Sequence, residues 1–403
     1  MNKTEILNNI TNYYINSHDF NGIPYMEIKN KYKNYDENDF KAIIIDLIKE
    51  KLITLNYTIN PHVKQYSDFP ITQQIEVLKN NSVKQIYFYP TEEHLESTLD
   101  ENKYSDKPFI NMLYFGKPQL EPLFFDMRIL AEYSNDSYHI NVISDYSGAI
   151  AYNYKDMCEK DKILLPAFEL GFVNKSRERV VAASLRHLKD LSVEHQNKWM
   201  SYLIVDDECQ TFCGDYHNSI FGEWVENASI YEAFIEQLFH INQMSLSIFD
   251  KKLFKEDFKK NRPDGFRPLF VPNENNYNNF INVLDDMMSG NINITFFEES
   301  QDSFNNPAAH LFNEWLRKKV ILQDDEDYNV IINPFLRISN IKQNLAHHIG
   351  NNNYDKKYIN EQNSLLKEAY ESIKAVRTLF AGHPAVRGYS VPDWLNKDDL
   401  ILI

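Results

Sequence analysis

Lys342 and His347 stand five positions apart in the stretch IKQNLAHHIGNNNYDKKYINEQ, residues 341–362. A cation and an imidazole about one helical turn apart can face the same side of a helix. Such a pair suits metal-independent RNA cleavage. The imidazole moves a proton at the ribose hydroxyl or the leaving oxygen, and the fixed cation stabilises the charged phosphorane. His347 is therefore the candidate proton-transfer residue and Lys342 the candidate charge stabiliser. The competing reading is packing, with the lysine solvated and the histidine ring satisfied between two helices. His348 adjoins His347, but neighbours on a helix point about 100° apart and do not suit one metal ion.

Other constellations carry less. Cys209, Cys213 and His217 recur at intervals of four in CQTFCGDYH and on one helix could hold zinc. Gly214 interrupts that helix and no fourth ligand is evident, so small buried cysteines are the competing reading. His187 and His195, in LRHLKDLSVEHQNKW, read as helix-surface or packing residues. Glu27 and Lys29 match the E-x-K half of a metal nuclease, yet they sit in a predicted short helix instead of at a strand end. No G-x-G-x-x-G, G-x-x-x-x-G-K, H-E-x-x-H or G-x-S-x-G is present. No metal and no cofactor is expected.

The elements that must position these residues fall into four segments of an α+β multidomain chain of 403 residues. Residues 1–65 read as three helices and a hairpin. Apolar residues Ile6, Leu7, Ile10, Tyr13 and Tyr14 keep a helical period, YMEIKNKY follows as a short helix, and Asp36 can cap a third with the stripe Phe40, Ile43, Ile44, Leu47 and Ile48. KLITLNYTI then alternates as extended chain does. Three helices and a ribbon is the winged-helix pattern. The third helix would face a groove with Lys41, Lys49 and the following Lys51, the candidate nucleic-acid contacts, but Asp36, Glu37, Asp39, Asp46 and Glu50 crowd the same face. A protein-contact role competes with DNA reading there.

Residues 66–205 read as a mixed α+β domain after a proline-punctuated connector at 59–70. QIYFYP is a predicted strand, TEEHLESTL a helix opened by Thr91, EPLFFDMRILAEY an apolar helix or buried strand, and YHINVISDYSGAIAYNY a hairpin. ERVVAASLRHLKDL and EHQNKWMSYLI read as amphipathic helices. Residues 206–300 are mainly helical apart from the strand-like FRPLFV, and 301–403, which include the solvated acidic loop QDDEDY at 323–328, form an all-helical unit with a proline-rich tail.

A formal charge of −16 opposes general attraction to nucleic-acid backbone, so such contact needs a local basic face. The 26 Phe and 25 Tyr can fill sizeable cores. The longest apolar run, AIIIDLI, is broken by Asp46 and falls short of the roughly 18–20 residues that cross a bilayer. Three cysteines build no disulfide framework, and the first residues show no apolar leader. A cytoplasmic protein without membrane association is expected.

Several stretches resemble a widespread family of uncharacterised bacterial proteins: INPHVKQ with QQIEVL, YPTEEHLE, GKPQLEPLFFDMRIL, LSVEHQNKW, GEWVENASIYEAFIEQLFHINQMS, FDKKLF and YESIKAVRTLFAGHPAVRGYSVPDWL, across roughly residues 59–398. The C-terminal part separately resembles a HEPN-type helical domain, a module of bacterial toxin and phage-defence ribonucleases that carries R-x4-6-H. Under that resemblance the histidine falls on His347 and the arginine position on Lys342, which keeps the charge but loses the forked grip on phosphate. Arg377 and His383 in RTLFAGH give a second, lower-ranked match that ends in a helix stop. The resemblance implies a bacterial stress or phage-defence protein associated with RNA or DNA, paired as a homodimer, and cutting RNA or a non-cutting relative. The alternative is a non-enzymatic interaction or regulatory protein with a protein partner.

Overall fold

The computed structural model describes the chain apart from residues 1, 58–63, 65–68, 81–84, 206–207, 213–227, 298–307, 323, 346–351, 398–399 and 402–403. It is mixed α+β with a helical C-terminal region, divided into two compact units, residues 1–225 and 226–403. Among the described residues no helix is long and apolar enough to cross a membrane.

The first unit opens with α1 (Lys3–Asn16), β1 (Ile23–Pro24), α2 (Tyr25–Lys31), α3 (Glu37–Lys49) and β2 (Ile53–Asn56). Asp36 caps α3, its Oδ1 accepting the Asn38 N–H at 2.7 Å. The stripe that the period of α3 sets, Phe40, Ile44, Leu47 and Ile48, is buried against Ile6 and Ile10 of α1 and Ile28 of α2. Each such side chain contributes about 1.5–3 kcal/mol on leaving water. After α4 (Ile71–Asn80), strand β3 (Tyr87–Pro90) enters between β1 and β2, antiparallel to both, with Ile23 opposite Phe88 and Ile53 opposite Pro90. The extended chain after α3 thus pairs with QIYFYP instead of turning back on itself, and this sheet runs past residue 65.

Next come α5 (Glu92–Thr98), capped by Thr91, and α6 (Pro108–Tyr114). A larger antiparallel sheet is built from β4 (Pro122–Asp126), β5 (Tyr138–Val142), β6 (Ser147–Tyr152), β7 (Leu164–Val173) and β8 (Arg179–Ser184), with the short α7 (Arg128–Ala131) after β4. The strand order is β4-β8-β7-β6-β5. α8 (Leu185–Leu188), α9 (Val193–Ser201) and β9 (Cys209–Thr211) complete the unit. β9 continues the edge of β7 that β6 leaves, and at Gly171 the strands come so close that a Cβ would lie 2.4 Å from the Gln210 carbonyl oxygen.

Two sequence expectations change here. RVVAAS is strand β8, not the start of a helix. All six residues are buried between two paired neighbours, so the run shows no period that separates strand from helix. EPLFFDMRILAEY resolves into strand β4 followed by one helical turn, α7.

The second unit is built on α10 (Ile230–Phe249), α11 (Glu274–Met287), α12 (Ala308–Lys319), α13 (Asp325–Leu345) and α14 (Lys357–Ala381). A short α15 (Asp393–Lys397) follows, and a parallel pair joins β10 (Ala228–Ser229) to β11 (Leu400–Ile401). Ser229 and Glu232 form a capping box that starts α10. Phe234, Leu238, Phe280, Phe312, Phe335, Tyr370 and Ile373 meet in one core. FRPLFV is irregular, not a strand. The Gln362 side-chain amide accepts the Leu269 N–H at 3.0 Å and donates to the Arg267 carbonyl at 2.9 Å, taking the place of a partner strand. The acidic QDDEDY stretch is largely the first turn of α13, where Asp324 accepts the N–H groups of Glu326 and Asp327. Carboxylates complement the positive end of a helix.

Candidate functional site

Lys342 lies in the last turn of α13, one turn beyond Ser339 on the same face. The buried side of α13, through Ile331, Phe335 and Ile338, fixes the helix in the core, and this face then meets the C-terminal end of α11. The ammonium Nζ donates to Asp285 Oδ2 at 3.0 Å and to Asp286 Oδ1 at 2.6 Å. The Ser339 hydroxyl donates to the other oxygen of Asp285 and lies 3.1 Å from Ser289 Oγ. Burial on its own would lower the Lys342 pKa, but the hydrogen bonds to Asp286 and Asp285 outweigh it and raise the group above its ordinary value. His347 lies outside the described residues.

The second R-x5-H match is not brought together. Arg377 is buried on α14, its Nε donating to Gln237 Oε1 on α10 at 2.5 Å. His383 is exposed past the end of that helix, where its Nδ1 accepts the Ala385 N–H at 3.2 Å.

At the start of the chain, the candidate phosphate contacts are engaged locally. Lys41 sits 3.2 Å from Glu37 with its side chain mostly buried, and Lys49 sits 4.0 Å from Asp46. Lys51 is exposed at the turn after α3, in the left-handed region at φ 56°. Lys3 pairs with Glu50. Glu27 and Lys29 both lie on α2. His195 is sealed in, Nδ1 2.9 Å from the Tyr133 hydroxyl and Nε2 3.1 Å from the Asp161 carbonyl, and burial lowers its pKa. The carbonyl can only accept, so Nε2 carries the proton. Cys209 is buried on β9, whereas Cys213 and His217 lie outside the described residues.

Sequence reasoning missed a polar chain along α10. Tyr389 from the C-terminal tail is 2.6 Å from His240 Nδ1, and His240 Nε2 is 3.2 Å from Glu236 Oε1. Lys259 also binds Glu236 at 2.9 Å. His240 and Lys259 together hold the Glu236 carboxyl below its ordinary range. The spacing of Glu236 and His240, four apart on a helix, was the available signal, but their partners come from remote segments.

The chain matches no family model, and neither the curated proteins nor the solved structures give a match.

Proposed function

We propose that this chain is a non-enzymatic interaction or regulatory protein, in which Lys342 has a structural role. One observation carries the reading: the Lys342 ammonium rests between two carboxylates, at 3.0 and 2.6 Å. A phosphorane stabiliser must bring net positive charge to an anionic phosphate. One ammonium against Asp285 and Asp286 leaves the spot net negative by one charge, which repels a phosphodiester. The lysine at the arginine position of the HEPN pattern then serves to tie α13 to α11. A HEPN-like, non-cutting helical unit agrees with the five long helices, among the described residues, that pack around one core. The order of helices α1–α3 and the β1-β3-β2 sheet agrees with a winged-helix-like start. With Lys41 and Lys49 beside acidic neighbours, that start favours a protein partner over a phosphate backbone. A bacterial, cytoplasmic, homo-oligomeric protein of stress or phage defence is the setting that the resemblance supplies to the same proposal.

The test is incubation of purified protein with RNA in EDTA, alongside affinity purification of partners. The expected result is intact RNA and a co-purifying protein that is retained by the Lys342→Ala and His347→Ala variants. RNA cleavage that disappears in His347→Ala overturns the reading.

A further inference from the structure

A cleft in the first unit gathers polar groups that the described residues leave unsatisfied. It lies among the C-terminal end of α3, β2, the start of α4 and the segments around Thr91 and Lys117, and encloses about 390 Å³. That volume falls within the range of small-molecule sites. Ile48, Ile53, Phe69 and Ile71 give it apolar walls. Thr54 in the wall is only 3% exposed, and its hydroxyl has no hydrogen-bond partner among the described residues. Buried hydroxyls are rarely left so, because the cost is about 1–3 kcal/mol.

Glu121 is the second such group. Its half-buried carboxyl makes no hydrogen bond or ion pair with a described residue. Burial raises its pKa, and the nearby Lys117 and Lys64 offset this only in part. Lys117 is about half-exposed and pairs with Glu92 at 3.7 Å. Lys64, in the same lining, donates to the Gly116 carbonyl at 3.2 Å. Glu121 therefore shares the lining of an apolar-walled cleft with Lys117 and Lys64, near enough for their charges to act on its carboxyl.

We propose that this cleft binds a free α-amino acid with a large apolar side chain. Its ammonium meets Glu121, its carboxylate meets Lys117, and its side chain lies against the isoleucine and phenylalanine wall. An α-amino acid carries both charges on one carbon, which suits an acid and a base that share one lining. A phosphate dianion would face Glu92, Glu93 and Glu121 in the same lining, and a simple amine would bring no anion to Lys117. The inference does not depend on the role of Lys342.

Isothermal titration calorimetry of the full chain tests it, with L-leucine, L-phenylalanine, N-acetyl-L-phenylalanine, L-phenylalanine amide and AMP as probes. At least one free amino acid gives saturable heat. Blocking either end of phenylalanine, or Glu121→Gln, weakens that binding at least tenfold. Glu121→Gln removes a poorly compensated charge, so its unfolding curve should match or exceed the parent's, which separates lost binding from lost fold. The proposal is overturned if neither free amino acid binds, if a blocked form binds equally well, if Glu121→Gln binds like the parent, or if AMP alone binds.

Discussion

Replacing Lys342 with methionine keeps much of the stem and deletes the ammonium. The cost is set by the two carboxylates left behind. The Asp286 side chain is 70% exposed, so water replaces the lost partner and the cost there is about 0–1 kcal/mol. The Asp285 side chain is 11% exposed and keeps only the Ser339 hydroxyl among its described side-chain partners. Stripping the partner from a fully buried charge costs about 3–5 kcal/mol. Lys342 itself is one-third exposed, which lets water reach the site and discounts that figure. We expect a loss of about 1–3 kcal/mol, nearly all of it through Asp285. For a unit of roughly 180 residues this is a fall in melting temperature on the order of 2–10 °C, measured by circular dichroism. Asp285→Asn in the Lys342→Met background should recover most of the loss, because it removes the stranded charge, whereas Asp286→Asn should recover little. If Lys342→Met melts like the parent, the clamp is not structural. If the variant also loses an RNA-cleaving activity at unchanged stability, the ammonium belongs to chemistry.

Two further perturbations have definite expected outcomes. Gly171→Ala places a methyl group against the Gln210 carbonyl, so β9 must move off β7. The expected cost is about 1–3 kcal/mol, read as faster amide exchange at Phe212, whose N–H bonds the Leu170 carbonyl. Glu236 gives a pH signature. Its folded-state pKa is depressed by His240 and Lys259, so its contribution is present above its ordinary value of 4.5 and is lost as pH falls through the lower folded value. Glu236→Gln should flatten that acid limb of the urea-derived stability curve while leaving the carboxylates of the first unit untouched; an unchanged limb rules out the contact.

What could be read from the chain, and what could not, divides by the range of the interactions. Asp36 with the stripe Phe40, Ile44 and Leu47, and Thr91 before its helix, are local signals, and the structure places a cap and a helix at each. β8 reads as helix because complete burial erases the alternation that marks a strand, and only pairing with β4 and β7 distinguishes it. FRPLFV has strand composition, yet its backbone is satisfied by Gln362, more than ninety positions away in the chain. The candidate site is subject to the same limit. The spacing of Lys342 and His347 describes what could share a face, whereas the charge state of that face is set by Asp285 and Asp286 on another helix. A spacing motif is thus a statement about geometry with the electrostatics still undetermined. For a lysine the electrostatics decide: the same ammonium is a phosphate ligand beside open solvent and a tie between helices beside two carboxylates.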